Sequence, residues 1–201
     1  MKQKPLFEGE FIAFSPFDRY ALCELIRRLK KPFKRIAEIG SWMGNGSTRT
    51  ITEAICGRGV LYSIYSIDHW QGNANVARHQ NLVTQFDIFN TFRANVEDYG
   101  GAICVKPLIM SSLEASQIVR DEVFDLVFID GTHSYEQTRQ DIECWLPKVV
   151  PEGILCGHDC EARLSNFERE VLWANRDQDT IEWTRLFPLV HPGVILAVDE
   201  R

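Results

Sequence analysis

The stretch Arg35-Ile36-Ala37-Glu38-Ile39-Gly40-Ser41-Trp42-Met43-Gly44-Asn45-Gly46-Ser47-Thr48 constrains the fold more than any other part of the chain. An apolar run with an acid near its end meets a glycine-rich turn and then a Ser/Thr pair able to cap a helix. That order is a strand, a tight loop and a helix start, the layout that holds the polar part of a nucleotide-like ligand.

The rest of the chain repeats the alternation. Ser15 caps a first helix, with Pro16 at its first position and Asp18 reaching back in a capping box. Leu22, Leu25, Ile26 and Leu29 share one face, and Pro32 ends the helix. The cluster Arg27-Arg28-Leu29-Lys30-Lys31 falls at the negative end of its dipole. Arg35 to Ile39 is the first strand. Ser47 is expected to cap a second helix with Ile51, Ala54 and Ile55 inward, stopped by Gly57 and Gly59. Val60 to Ile67 predicts a strand ending at Asp68, His69 to Asn75 a loop, and Val76 to Tyr99 one long helix closed by Gly100-Gly101. Ile103 to Leu108 is a third strand, although Pro107 cannot donate to a ladder. Ser112 to Val119 is a short helix. Phe124 to Ile129 is apolar enough for a strand covered on both faces. Ser134 to Trp145 is helical, and the turn Pro151-Glu152-Gly153 precedes a fifth strand with its core at Ile154 to Cys156.

Strands alternating with helices predict an α/β fold: a doubly wound, Rossmann-like, mostly parallel sheet with helices on both faces. Ligands of such sheets bind beyond the carboxyl ends of the strands, where Asp68, Asp130 and Asp159 fall. Phe167 to Asn175 reads as a helix. Ile181 to Val190 and Val194 to Val198 favour an antiparallel hairpin around His191-Pro192-Gly193. The alternative is a helix opened by Pro192-Gly193 that carries Val194, Ala197 and Val198. A single domain over 1–201 is expected, with an N-terminal helical cover (1–33), a cofactor-binding core (35–160) and a C-terminal acceptor-side segment (161–201).

Composition narrows the partners. The chain has 201 residues, 45% hydrophobic and 25% charged, as in an ordinary globular domain. A net charge of −6 with dispersed Lys and Arg argues against a nucleic-acid backbone as partner. Cys23, Cys56, Cys104, Cys144, Cys156 and Cys160 are scattered without a CxxC pair, which reads as reduced thiols in a cytoplasmic protein. Cys156 and Cys160 flank His158 and Asp159, but no further ligands complete a zinc site there. Neither a signal peptide after Met1-Lys2-Gln3-Lys4-Pro5 nor a membrane span is expected.

Three constellations carry chemistry. Glu38 with Gly40, Gly44, Gly46 and Ser47 comes first. A carboxylate two residues before the first glycine repels a pyrophosphate and suits hydroxyls or an ammonium group. It therefore points to S-adenosylmethionine and away from NAD or ATP. Asp68 at the next strand end can accept both hydroxyls of a ribose. Second, Asp130 follows a buried strand, with His133 in the same loop. Third, Gly157-His158-Asp159 follows the fifth strand. Asp130 and Asp159 together make a carboxylate pair suited to Mg²⁺, while His133 and His158 are candidate general bases.

On these motifs the chain resembles class I S-adenosylmethionine-dependent methyltransferases. More narrowly, it resembles the family that includes macrocin O-methyltransferase and cephalosporin hydroxylase-like proteins. The resemblance is carried by Glu38 to Ser47, Ser66-Ile67-Asp68, Phe128 to Tyr135 and Gly153 to Asp159, over roughly residues 35 to 160. It implies that Glu38 and the loop, Gly40, Ser41, Gly44, Gly46 and Ser47, hold the methionine end. Asp68, with His69 beside it, lies at the ribose and Ser111-Ser112-Leu113 near the adenine. Asp130 borders both the cofactor and the acceptor. In metal-dependent relatives such as catechol O-methyltransferase, acids matching Asp130 and Asp159 bind Mg²⁺, and Asn stands where this chain has Cys160.

The expected activity is methyl transfer from S-adenosylmethionine to a hydroxyl of a small molecule, a sugar or natural product, with Mg²⁺ assistance left open. Asp130, His133 and His158 are the expected catalytic residues. No membrane or nucleic-acid partner is expected, and a homo-oligomer is left open. A nicotinamide oxidoreductase and a cofactor-binding protein without turnover are the rival readings. The spacing of Gly40, Gly44 and Gly46 departs from G-x-G-x-x-G, which counts against the first.

Overall fold

A computed structural model of the chain describes residues 14–28, 35–55 and 62–200. Its elements run α1 (Pro16–Arg28), β1 (Arg35–Ile39), α2 (Ser47–Ile55), β2 (Ser63–Asp68), α3 (Ala77–Gln85), α4 (Ile88–Asp98), β3 (Val105–Ile109), α5 (Ser112–Ile118), β4 (Phe124–Ile129), α6 (Tyr135–Trp145), β5 (Val149–Gly157), α7 (Arg169–Ala174), β6 (Ile181–Glu182), β7 (Leu189–Val190) and α8 (Pro192–Asp199). The N-terminal Met1 to Pro5, the helix stop at Pro32, Leu29 to Lys31 of the basic cluster, Cys56, the stops at Gly57 and Gly59 and a strand start at Val60 lie outside the described residues.

The five long strands form one parallel sheet in the order β3-β2-β1-β4-β5. The order reverses beside β1, and that switch point opens a crevice at the carboxyl ends of the strands. Central β1 buries Ile36 to Ile39 completely or nearly so, as a strand covered on both faces must. One face packs Ile36, Ile64, Leu126 and Phe128 against α1, α2, α3 and α4 through Ile26, Ile51, Leu82 and Phe92. The other packs Ala37, Ile39, Val127 and Ile129 against Ala115 of α5 and Trp145 of α6. Edge position explains why β3 tolerates Pro107.

The helix starts are set by local chemistry. At α1 the Ser15 amide donates to Asp18 (2.9 Å) and the Asp18 amide to Ser15 Oγ (3.2 Å), the expected reciprocal cap. For α2 the expectation shifts by one residue. Ser47 is already helical, and the Gly46 carbonyl accepts the first helical bond, from Thr50 N.

Three expectations about elements are corrected. The single helix over Val76 to Tyr99 is two, because Phe86 and Asp87 are extended and Asp87 caps α4 by accepting from Asn90 N at 2.9 Å. Pro151-Glu152-Gly153 is not a turn before β5 but a bulge inside it. The strand starts at Val149, and its register against β4 slips between Phe124 and Leu126. The antiparallel pairing lies wholly within 181–190, as β6 with β7 in a separate small sheet. The favoured pairing across His191-Pro192-Gly193 is absent, and the alternative helix forms. Residues Pro192 to Ala197 of α8 are all buried, as expected of a helix apolar on every side. A Cβ on Gly193 would stand 2.3 Å from Tyr135 N and 2.4 Å from His133 O, so this glycine permits backbone-to-backbone approach. Leu172 of α7 and Val190, Ile195 and Leu196 form a third small core, against which Tyr135 packs.

No helix among the described residues is long and apolar enough to cross a membrane.

Candidate active site

A cleft of about 160 Å³ opens at the switch point, floored by Ile39, Gly40 and Ile67 at the ends of β1 and β2. Of the residues picked out from the sequence, Gly40, Asp68, His69, Ser111, Ser112 and Asp130 line it. Glu38, Ser41, Gly44, Gly46 and Ser47 do not; they build the loop from beneath.

The loop is closed by close contacts. Gly40 has φ +85°, and a Cβ there would lie 1.9 Å from the carbonyl oxygen of Asp130. The ends of β1 and β4 are tied by Asp130 N donating to Ile39 O at 2.7 Å. Gly44, at φ +77°, lies against the Phe92 ring, not the cleft. Glu38 is fully buried. Its Oε2 accepts from Ser41 Oγ (2.8 Å), Thr48 Oγ1 (2.8 Å) and Ser66 Oγ (3.0 Å), while its Oε1 has no partner among the described residues. Burial raises the Glu38 carboxyl above its ordinary value, against the pull of the hydroxyls.

Asp68 clasps the same loop from the side. Its Oδ2 accepts from the amides of Ser41 (3.1 Å) and Trp42 (2.9 Å), and its Oδ1 from that of Trp70 (2.6 Å). Trp42 takes a positive φ of 44°, lines the cleft and stacks on His79 at 4.4 Å. Trp70 belongs to the core with Phe89 and Phe92, and Tyr135 packs on Trp173 away from the loop.

Sequence reading missed Asp141, on α6 and 2% exposed. It accepts from Ser112 Oγ at 2.6 Å and from Gln137 Nε2 at 3.2 Å, and Ser112 Oγ in turn accepts from Trp145 Nε1 at 2.7 Å. Burial pushes its carboxyl up to about 6. The cleft thus presents Asp68, Asp130 and Asp141 and not one Lys or Arg among its lining residues. That set suits a cation bearing hydroxyls and disfavours a pyrophosphate. S-adenosylmethionine fits it.

The acids and histidines of the other two motifs meet on the adjoining rim. His158 Nδ1 stands 2.9 Å from Asp159 Oδ1 and 3.6 Å from Asp130 Oδ1, and its Nε2 faces Asp18 at 3.3 Å. His133 Nε2 meets Asp159 Oδ2 at 3.0 Å and its Nδ1 meets Asp179 Oδ1 at 2.8 Å. Burial opposes charge on both rings, but the carboxylates outweigh it: His133 is lifted to about 10 and His158 to about 11. Burial works the other way on Asp159, yet the two rings hold it far below the usual carboxylate range. In this arrangement both rings are held as imidazolium and offer no free lone pair. Asp18, Asp179, Glu161 and His191 complete the cluster, and none of the four is a site residue on the sequence reading, which gives Asp18 as a helix cap and His191 as a turn residue.

Mg²⁺ fits less well than the cofactor. The space between Asp130 and Asp159 is approached by an imidazole nitrogen, whereas Mg²⁺ demands oxygen donors. Cys160 is exposed, its Sγ lying 3.8 Å from Ala162 O, and it joins no group of candidate metal ligands among the described residues.

A family described as a methyltransferase domain matches residues 37–160. An uncharacterized protein, y4gI, of Sinorhizobium fredii is 26% identical over 142 residues, which are 70% of this chain and 15% of that protein. Cofactor-bound Rv0187 from MTB superposes with a TM-score of 0.54 at 20% identity, covering 73% of this chain and 56% of that one. A caffeoyl-CoA O-methyltransferase candidate from Staphylococcus aureus gives 0.54 at 16% identity, covering 92% and 71%. The chain spans a small part of its curated relative and about half of Rv0187, and at these identities the two structures speak to fold. The stretch from Ala37 to Cys160 holds the loop, the cleft floor and both acid motifs, and by its match this chain belongs to the methyltransferase-domain family.

Proposed function

We propose that the chain transfers the methyl group of S-adenosylmethionine to a hydroxyl of a small molecule, a sugar or natural product. The observation that carries this reading is the cleft at the switch point, lined by three carboxylates and by no Lys or Arg. Bound there, S-adenosylmethionine supplies a methyl group already activated on a sulfonium. The Asp68 carboxylate and the Ser111-Ser112 hydroxyls offer partners for ribose and base. Asp130, which both lines the cleft and borders His158, receives the proton of the acceptor hydroxyl. His133 and His158 hold Asp159 and Asp130 in place as positioning residues in the metal-free protein. The segment 161–199 shapes the acceptor side. Holding acceptor and donor in line is worth up to about 7–11 kcal/mol in well-oriented systems. No step is assigned to Mg²⁺.

Calorimetry with S-adenosylhomocysteine and with NADH tests the donor: binding of the first and none of the second is expected, and the reverse overturns the reading. Methyl transfer from labelled cofactor to a panel of hydroxylated small molecules separates an enzyme from a silent binder.

A further inference from the structure

We propose that His133, Asp179 and His191 bind a divalent first-row transition-metal ion of the Zn²⁺ class, separate from the Asp130-Asp159 pair. The three offer one ligand atom each within 4.8 Å of one another. They come from three places: the loop after β4, the stretch before β6 and the residue before α8. Two imidazoles with one carboxylate suit Zn²⁺ or Fe²⁺ and disfavour Mg²⁺.

The surroundings support a ligand role. A metal-bound histidine nearly always gives its other ring N–H to a carboxylate, which fixes the tautomer and the ring plane. Both rings meet this condition. His133 places Nδ1 toward Asp179 (2.8 Å) and Nε2 on Asp159 (3.0 Å). His191 places Nδ1 on Glu161, and the His191 backbone amide donates to the same carboxylate at 3.2 Å. Nε2 is thereby the nitrogen of His191 left for an ion. The rings lie edge to face with centroids 4.6 Å apart. Three carboxylates, Asp159, Glu161 and Asp179, around two imidazoles supply counter-charge for a dication. All five side chains are partly buried, between 14% and 28% exposed, so water and ions reach them. Binding displaces a proton from between His133 and Asp179, and it ties 179–191 to the loop that follows Asp130.

The inference does not depend on methyl transfer. The test uses the full chain, stripped with chelator and titrated with Zn²⁺ against a chromophoric competitor, with Co²⁺ as a spectroscopic probe. One equivalent of Zn²⁺ is expected, with a Co²⁺ ligand-field spectrum that Zn²⁺ abolishes. His191→Gln and Asp179→Asn should each weaken Zn²⁺ by at least about 100-fold, and Glu161→Gln, which meets His191 at the far ring nitrogen and the backbone amide, by about 10–100-fold. His158→Gln should weaken Zn²⁺ by less than about 10-fold, since His158 touches Asp159 but none of the three ligands. Circular dichroism confirms that each variant is folded, and Glu161→Gln decides the matter where a ligand variant is not. Absence of a stoichiometric site in the parent overturns the proposal. So does loss of binding in His158→Gln with retention in His191→Gln, which places the ion between Asp130 and Asp159.

Discussion

The carbonyl oxygen of Asp130 occupies the space that a side chain on Gly40 would need, 1.9 Å from an ideal Cβ. The two residues directly follow neighbouring strands, so the glycine sets how closely β1 and β4 converge beneath the cleft. Gly40→Ala adds a clash with backbone to a positive φ. It is expected to destabilise the fold by about 3 kcal/mol or more, read as a lower urea midpoint. An unchanged midpoint would show that the strand ends part freely.

Glu38 organises the loop through three hydroxyls that all converge on one oxygen. Glu38→Gln preserves an acceptor and should stay within about 1 kcal/mol of the parent. Glu38→Ala strands buried donors at about 1–3 kcal/mol each and should lose several times as much. Denaturant titration of the pair checks the order. Equal losses would mean that volume, not hydrogen bonding, holds the loop.

Asp141 makes stability depend on pH. Its folded value, pushed up by burial to about 6, exceeds the ordinary aspartate value of 3.8. The folded state therefore keeps a proton that the unfolded chain gives up between these values, and stability falls as pH rises through that window. Asp141→Asn should match the parent near pH 4 and exceed it above pH 6 by on the order of 2–3 kcal/mol. Melting curves of both proteins across pH 4–8 give the difference; a gap that does not grow with pH would refute the assignment.

Asp130→Ala separates the chemistry from cofactor binding. Turnover should fall by about 100-fold or more, the usual worth of a positioned proton acceptor, while affinity for S-adenosylhomocysteine changes little. Lost affinity with unchanged turnover at saturation would assign Asp130 to the cofactor instead.

The parts of the fold legible in the sequence are those whose signal is local. β1 and β4 have the expected ends, because each is a short apolar run between polar breaks. The division at Asp87 was hidden because Phe86 and Phe89 carry the apolar period through a capping residue. At His191-Pro192-Gly193 the sequence allows both a turn and a helix start. The choice is made by Gly193 meeting the backbone of His133 and Tyr135, about 60 residues away. The cleft residues Asp68 and Asp130 were readable as strand-end acids. Asp141 was not, because its role depends on Ser112, 29 residues earlier. Asp179 was not either, because it meets His133 only across 46 residues of chain.

The break at Asp87 also divides the local stability of the region beside the cleft. α4 anchors itself with Ile88, Phe92, Asn95 and Val96, whereas Leu82 is the buried residue of α3. α3 also carries His79, which meets Trp42 at the cleft wall. A helix held by so little burial opens at low free energy while its neighbour stays folded. The wall of the cleft on that side is thus expected to fluctuate as a unit of its own, with amides of 77–85 exchanging ahead of those of 88–98 in a hydrogen-exchange measurement.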